Sequence, residues 1–270
     1  MSAPRDGFVQ ARGARLRVRE DAGPAPDAPV LLLSNSLAAS MRMWDPQVPL
    51  LTRRYRLLRY DTRGHGESEA PTGDYDFPLL VEDMAAVLDS AGVARAAVMG
   101  LSLGGMTALG FALAHPARVE RLVCCDARAD APPPFVASWD ERLAATAAGG
   151  MAAVLDTTLD RWLDPGFRAA RPDVAAWVGE MIVSTPVAGY AGCAAALKRL
   201  AYLPELHRIS APTLFVRGDG DGGAPGEAMR AMAAQVSGAL FAEVPQARHL
   251  PNLDNEAGFA RAISGFLGLS

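Results

Sequence analysis

Cysteine is scarce in this chain, three in 270 residues. Cys124, Cys125 and Cys193 make an odd number without framework spacing, which excludes a small fold built on disulfides and points to a reducing cytoplasm. Basic excess is also absent. Charged residues make up 21% and the formal net charge is -4, so no cationic face suited to nucleic acid is expected. No apolar run approaches the ~20 residues that span a bilayer. Met1 to Glu20 mixes Arg, Asp and Gly with no apolar core, so no signal peptide is expected either. Internal repeats and low-complexity segments are missing. What is plentiful is apolar residue, half of the chain, enough for a substantial core in one large domain or two small ones.

The apolar residues fall into alternating blocks. Residues 7–20 alternate around Gly13 as an edge hairpin does. Residues 30–33, apolar on both faces, read as a central parallel strand. Further strands are expected at 55–60, from Ala96 towards Gly100, and at 119–125, 212–216 and 239–244. Helical spacing appears between them, over 43–51, 77–91, 103–114, 227–236 and 256–267. Such alternation predicts an α/β fold, a mostly parallel, doubly wound sheet with right-handed crossovers. The pattern changes after Asp126. Segments 139–148, 150–162, 172–183 and 188–200 are amphipathic, with no strand among them. A helical cap is therefore expected after strand 6, entered through a hinge at Pro132-Pro133-Pro134. The expected division is a core of 1–129 and 207–270 and a cap of 130–206.

One stretch stands out. Gly100-Leu101-Ser102-Leu103-Gly104 ends a strand pattern and opens a helix pattern, which is the signature of a nucleophile elbow, a tight turn that lifts a strained serine into an open site. Gly100 and Gly104 then lack side chains because the turn brings backbone together. A serine hydroxyl needs a base, and the base needs an acid to fix its tautomer. In a parallel sheet these groups must lie at the carboxyl ends of strands. The chain has four histidines. His65 reads as a loop brace, His115 as a helix cap and His207 as an exposed residue, which leaves His249, after the last strand, as the base. Asp221, deeper in its loop than Asp219, is the expected acid, with Asp126 at the end of the preceding strand as its competitor. Backbone amides of Leu37 and Leu103 are the expected oxyanion donors.

With these groups in order, the chain resembles an α/β-hydrolase with a helical cap. Several stretches are similar to the 3-oxoadipate enol-lactonases: Leu33-Ser34-Asn35-Ser36-Leu37, Met43-Trp44-Asp45, the run from Arg59 to Gly66, Gly100 to Gly105, and His249-Leu250-Pro251-Asn252. The resemblance implies a cofactor-free, metal-free serine hydrolase acting on a small lactone or carboxylic ester through an acyl-enzyme. A general carboxylesterase, a carbon-carbon bond hydrolase, an acyltransferase and a non-catalytic binding protein remain the alternatives at this point. The partner expected is a small molecule, with no nucleic acid or membrane, and the chain a monomer or homodimer. Where the lactonases carry an Asn-Thr-Ala-like stretch, this chain has Asp126-Ala127-Arg128, which puts the substrate in question. Arg128 either clamps a substrate carboxylate or pairs with Asp126 or Asp130 to brace the hinge. Trp139 is a further candidate for substrate contact or for cap packing.

Overall fold

The structure is a computed structural model and describes residues 6–269. Residues 1–5, part of the stretch read as free of a signal peptide, lie outside the described residues. Eight strands form one sheet in the order β1-β2-β4-β3-β5-β6-β7-β8. The strands are β1 Asp6–Ala11, β2 Ala14–Asp21, β3 Val30–Ser34, β4 Arg56–Tyr60, β5 Ala96–Leu101, β6 Val119–Cys125, β7 Thr213–Gly218 and β8 Leu240–Val244. β1 and β2 form the antiparallel edge, and every pairing from β4 to β8 is parallel. The central strands β3 and β5 are buried at every residue, as strands covered on both faces must be.

The helices are α1 Val48–Leu51, α2 Phe77–Ser90, α3 Leu103–Ala114, α4 Pro133–Gly149, α5 Leu155–Trp162, α6 Pro165–Ala170, α7 Pro172–Ser184, α8 Val187–Lys198, α9 Gly226–Gln235, α10 Pro251–Asp254 and α11 Glu256–Leu267. Three departures from the sequence reading have local causes. The helix expected over 43–51 is mostly a 3-10 turn, Met41–Gln47, followed by the single turn α1. Pro46 and Pro49 each remove a donor that a longer helix would need. The triple proline, read as the hinge into the insertion, runs into the helix itself: Pro132 caps α4, and Pro133 and Pro134 occupy its first turn. The first amides of a helix have no partner to lose, so proline is accommodated there. α6 and α10, each short, had too few residues to show a period.

The five helices between β6 and β7 form the insertion that the sequence pattern suggested. Its two ends lie side by side. The Ala129 carbonyl accepts from the amides of both Tyr202 and Leu203, and Asp130 pairs with Ala201 in an isolated bridge. α8 is seated on the loop after β4. There the Gly189 and Gly64 backbones touch so closely that a Cβ on Gly189 would lie 2.1 Å from the Gly64 carbonyl oxygen. No helix among the described residues is long and apolar enough to cross a membrane.

Candidate active site

Ser102 follows β5 and caps α3 with φ 56° and ψ -118°, a left-handed conformation that costs a non-glycine residue on the order of 1–3 kcal/mol. The surroundings hold it there. Its amide donates to the Cys125 carbonyl at 2.9 Å, and its carbonyl accepts from Met106 at 2.9 Å. Both glycines of the turn are sterically required. A Cβ on Gly100 would lie 2.1 Å from the Gly104 carbonyl oxygen, and one on Gly104 would lie 2.3 Å from the Ser34 carbonyl oxygen. The second contact presses the loop after β3 against the elbow. That loop continues through Ser36 and Leu37 to Ala38, which has φ 59°. Leu103 is the first residue of α3, so its amide has no intrahelical acceptor. Among the described residues, neither it nor the Leu37 amide donates to a protein group, and Ser36, Leu37, Ala38 and Ser102 line the same cavity.

The loop after β8 brings His249 to this cavity. His249 Nδ1 is 2.8 Å from Asp221 Oδ2, so the ring nitrogen facing the acid carries the proton and leaves Nε2 for the cavity. This tautomer follows from the bonding pattern. Asp221 Oδ1 accepts from the Gly223 amide at 2.7 Å. Burial alone would push the Asp221 carboxyl up; the neighbouring His249 and the donor from Gly223 offset it and hold the carboxyl below the usual carboxylate range. Asp219 plays another part: it is exposed, and its Oδ1 accepts from the Ala247 amide at 3.2 Å. No hydrogen bond joins Ser102 to His249 among the described residues. Such contacts are often long before substrate arrives.

His249 is further fixed by the insertion. The Trp162 ring stacks on the imidazole at a 6.2 Å centroid distance and 30°, and the Trp162 carbonyl accepts from the Leu250 amide. Behind it, Asn252 is fully buried. Its amide group donates to the Met43 carbonyl at 2.9 Å and to Gln47 Oε1 at 3.1 Å, which ties the histidine loop to the turn after β3. The other histidines lie apart from this site. His65 is buried, with Nδ1 3.1 Å from the Arg63 carbonyl; His115 caps the end of α3; His207 is exposed.

The cavity has a volume of about 600 Å³, within the usual range for small-molecule sites. Its roof comes from α4, α5 and α8. Arg128 lines it, but Arg128 Nη2 is paired with Asp130 Oδ1 at 3.2 Å and the guanidinium lies over the Phe135 ring. Trp139 is buried in the wall, edge-on to Phe135. Two arginines stand differently. Arg142, 4.3 Å over the Trp139 ring, and Arg161, whose Nη2 donates to Thr158 Oγ1 at 3.2 Å, both line the cavity and have no carboxylate partner among the described residues. Burial, and then the charge of Arg161, lowers Arg142 to about 10. Burial likewise lowers Arg161. Arg161 carries no signal in its local sequence, because its meaning comes from Arg142 on another helix.

Asp126, the competing acid, also reaches this site. One oxygen from each of Asp126 and Asp221 and a ring nitrogen of His249 all lie within 4.8 Å of one another. By residue type the three could ligand a cation. His249 Nδ1 is occupied by its hydrogen bond to Asp221, however, so it offers no lone pair to one.

A family model described as alpha/beta hydrolase fold matches residues 29–256. The chain is 32% identical to 3-oxoadipate enol-lactonase 1 of Acinetobacter baylyi over 241 residues, 89% of either chain. Among solved structures, the enol-lactonase from Burkholderia xenovorans LB400 superposes with a TM-score of 0.92 at 34% identity, covering 97% of this chain and 100% of that one. A hydrolase from Pseudomonas aeruginosa superposes with a TM-score of 0.91 at 37% identity, covering 97% and 98%.

Proposed function

This chain belongs to the alpha/beta hydrolase family, and from that premise we propose that it is a cytoplasmic serine hydrolase that opens a small, acid-bearing lactone or ester through an acyl-enzyme. The observation that carries the reading is the 2.8 Å bond from His249 to Asp221 beside a serine held at φ 56° in the same cavity. Ser102 Oγ attacks the carbonyl carbon while His249 Nε2 takes its proton. The oxyanion is received by the Leu37 and Leu103 amides, each such donor being worth ~100 to 1000-fold in rate. The ring or alkoxy oxygen leaves with the proton from His249, and the acyl group stays on Ser102. Water, deprotonated by the same nitrogen, attacks the acyl carbon and frees the acid and the serine. Asp221 stabilises the imidazolium formed in both halves. The helices over 130–206 act as a cap domain on a core of 1–129 and 207–270.

The acid requirement rests on Arg142 and Arg161. Two half-buried guanidinium groups with no ion-pair partner among the described residues favour a ligand that supplies one. Similarity to enol-lactonases supports a lactone as the scissile group. Hydrolysis of p-nitrophenyl acetate is expected to show a pre-steady-state burst, and Ser102→Ala to abolish both burst and turnover. Unchanged turnover in that variant would sink the mechanism. Ring opening of 3-oxoadipate enol-lactone, followed by loss of its absorbance, tests the substrate; a rate no better than that for a neutral lactone would point to a different acid.

A further inference from the structure

Asp126 and Asp221 are both almost wholly buried, 1% and 3% exposed, and at the carboxyl ends of the neighbouring strands β6 and β7 an oxygen of one carboxyl lies within 4.8 Å of an oxygen of the other. Two carboxylates in one dry site cannot both be ionised at neutral pH. Their partners decide which one keeps a proton. Asp221 receives two N–H donors, from His249 and Gly223. Asp126 receives one, from the Gly218 amide to Oδ1 at 2.8 Å, and its Oδ2 is buried with no partner. Asp126 is also locked in position. It adopts φ 45°, and its amide donates to the Val216 carbonyl at 2.9 Å. The other charged or titratable groups facing it are Arg217 on β7 and Cys124 and Cys125 on its own strand. Both thiols are neutral, pushed up by burial. Arg217 is engaged with Glu243.

We propose that Asp126 is a positioning residue that remains a neutral carboxylic acid and donates its Oδ2 proton to Asp221, giving the acid of the triad a third donor. The proposal rests on Asp221 and His249 acting as acid and base. Burial and the charge of Asp221 both push Asp126 well above the usual carboxylate range, in keeping with this arrangement. A third donor disperses the Asp221 charge, so the imidazolium of His249 is stabilised less. The donor also fixes the Asp221 plane that aims the imidazole. The Asp126 carboxyl is then a partner of the acid, and not its competitor.

The sequence pattern makes the exchange testable, because asparagine keeps the shape, tolerates positive φ, accepts from Gly218 and can donate from its amide. Glycine suits the backbone and removes the donor. Asp126→Asn should keep kcat/KM at pH 7 within about tenfold of the parent, whereas Asp221→Asn should lose far more, on the order of 1000-fold. Asp126→Gly should move the acid limb of the kcat/KM profile upward by about half a pH unit or more. Asp126→Asn should restore that limb. Infrared spectra at pH 7 should contain a protonated-carboxyl stretch that is lost in Asp126→Asn, a readout independent of turnover. The proposal is overturned if that band is missing from the parent protein, if the acid limb is the same in Asp126→Gly, or if Asp126→Asn loses as much as Asp221→Asn. The last result would make Asp126 itself the acid. Failure of the underlying mechanism shows separately, as a parent protein without an acylation burst.

Discussion

At the scale of single residues, arginine shows how far side-chain identity alone carries. Arg128, Arg142 and Arg161 all border the cavity, but only Arg128 has a carboxylate partner among the described residues. An arginine already paired has little to gain from a substrate acid, while one half-buried beside another cation gains both a partner and relief from repulsion. Arg142→Gln and Arg161→Gln should each raise KM for an acidic lactone by about 10- to 100-fold, the worth of one charge-assisted hydrogen bond. The neutral ester p-nitrophenyl acetate should respond far less, and Arg128→Gln should change the acidic KM least of the three. Steady-state kinetics on the two substrates checks the ranking. Equal loss on both substrates would leave these arginines a packing role alone.

At the scale of elements, the joints between insertion and core matter more than the elements themselves. α8 meets the loop after β4 backbone to backbone, so Gly189 has no room for a methyl group. Gly189→Ala should push α8 outward and cost about 1–3 kcal/mol. Because α8 carries Tyr190, which packs against Trp139, KM should rise with the loss of stability. Gly179→Ala on α7 is the control. Its Cβ would come no closer than 3.4 Å to the Leu155 side chain, and alanine is the better helix former, so it should be neutral or stabilising. Thermal unfolding of the pair decides the point; similar shifts in both would mean the joint is not tight. The stretches read as lactonase-like make sense at this scale too. Asn252 and Gln47 join the histidine loop to the turn after β3, and Arg59 binds Asp21 and Asp45, so stretches distant in sequence are two sides of one brace.

At the scale of the whole molecule, His65 gives the fold a pH limit. It is fully buried, with Nε2 lacking a partner among the described residues, and burial lowers it to about 4. The folded protein therefore binds fewer protons than the unfolded chain between about pH 4 and the ordinary histidine value near 6.5, so stability rises with pH across that window. The contribution is complete above about pH 6.5 and is lost on acidification towards about pH 4. Between about pH 7 and about pH 4.5 the parent protein should lose about 2–3 kcal/mol more than His65→Gln does, since a tenfold difference in proton affinity between folded and unfolded chain is worth about 1.4 kcal/mol. Denaturant unfolding at the two pH values measures this. Equal losses would show that His65 is not the group being charged.

Local pattern alone determined much of this protein. Strands apolar on both faces, helices at 3.6-residue spacing and the break after Asp126 are short-range signals, and the sheet follows from them. The serine turn is legible for the same reason: Gly100 and Gly104 are where they are because backbone approaches within a few residues. Only tertiary structure decided what the remaining groups do. Asp126 and Asp221 are far apart in the chain and meet because β6 and β7 are neighbours. Arg142 and Arg161 sit on separate helices, and their lack of an ion-pair partner among the described residues is a property of packing. Whether a carboxyl keeps its proton or a guanidinium seeks a partner depends on burial and on charges brought close by the fold, neither of which is written in the neighbouring residues.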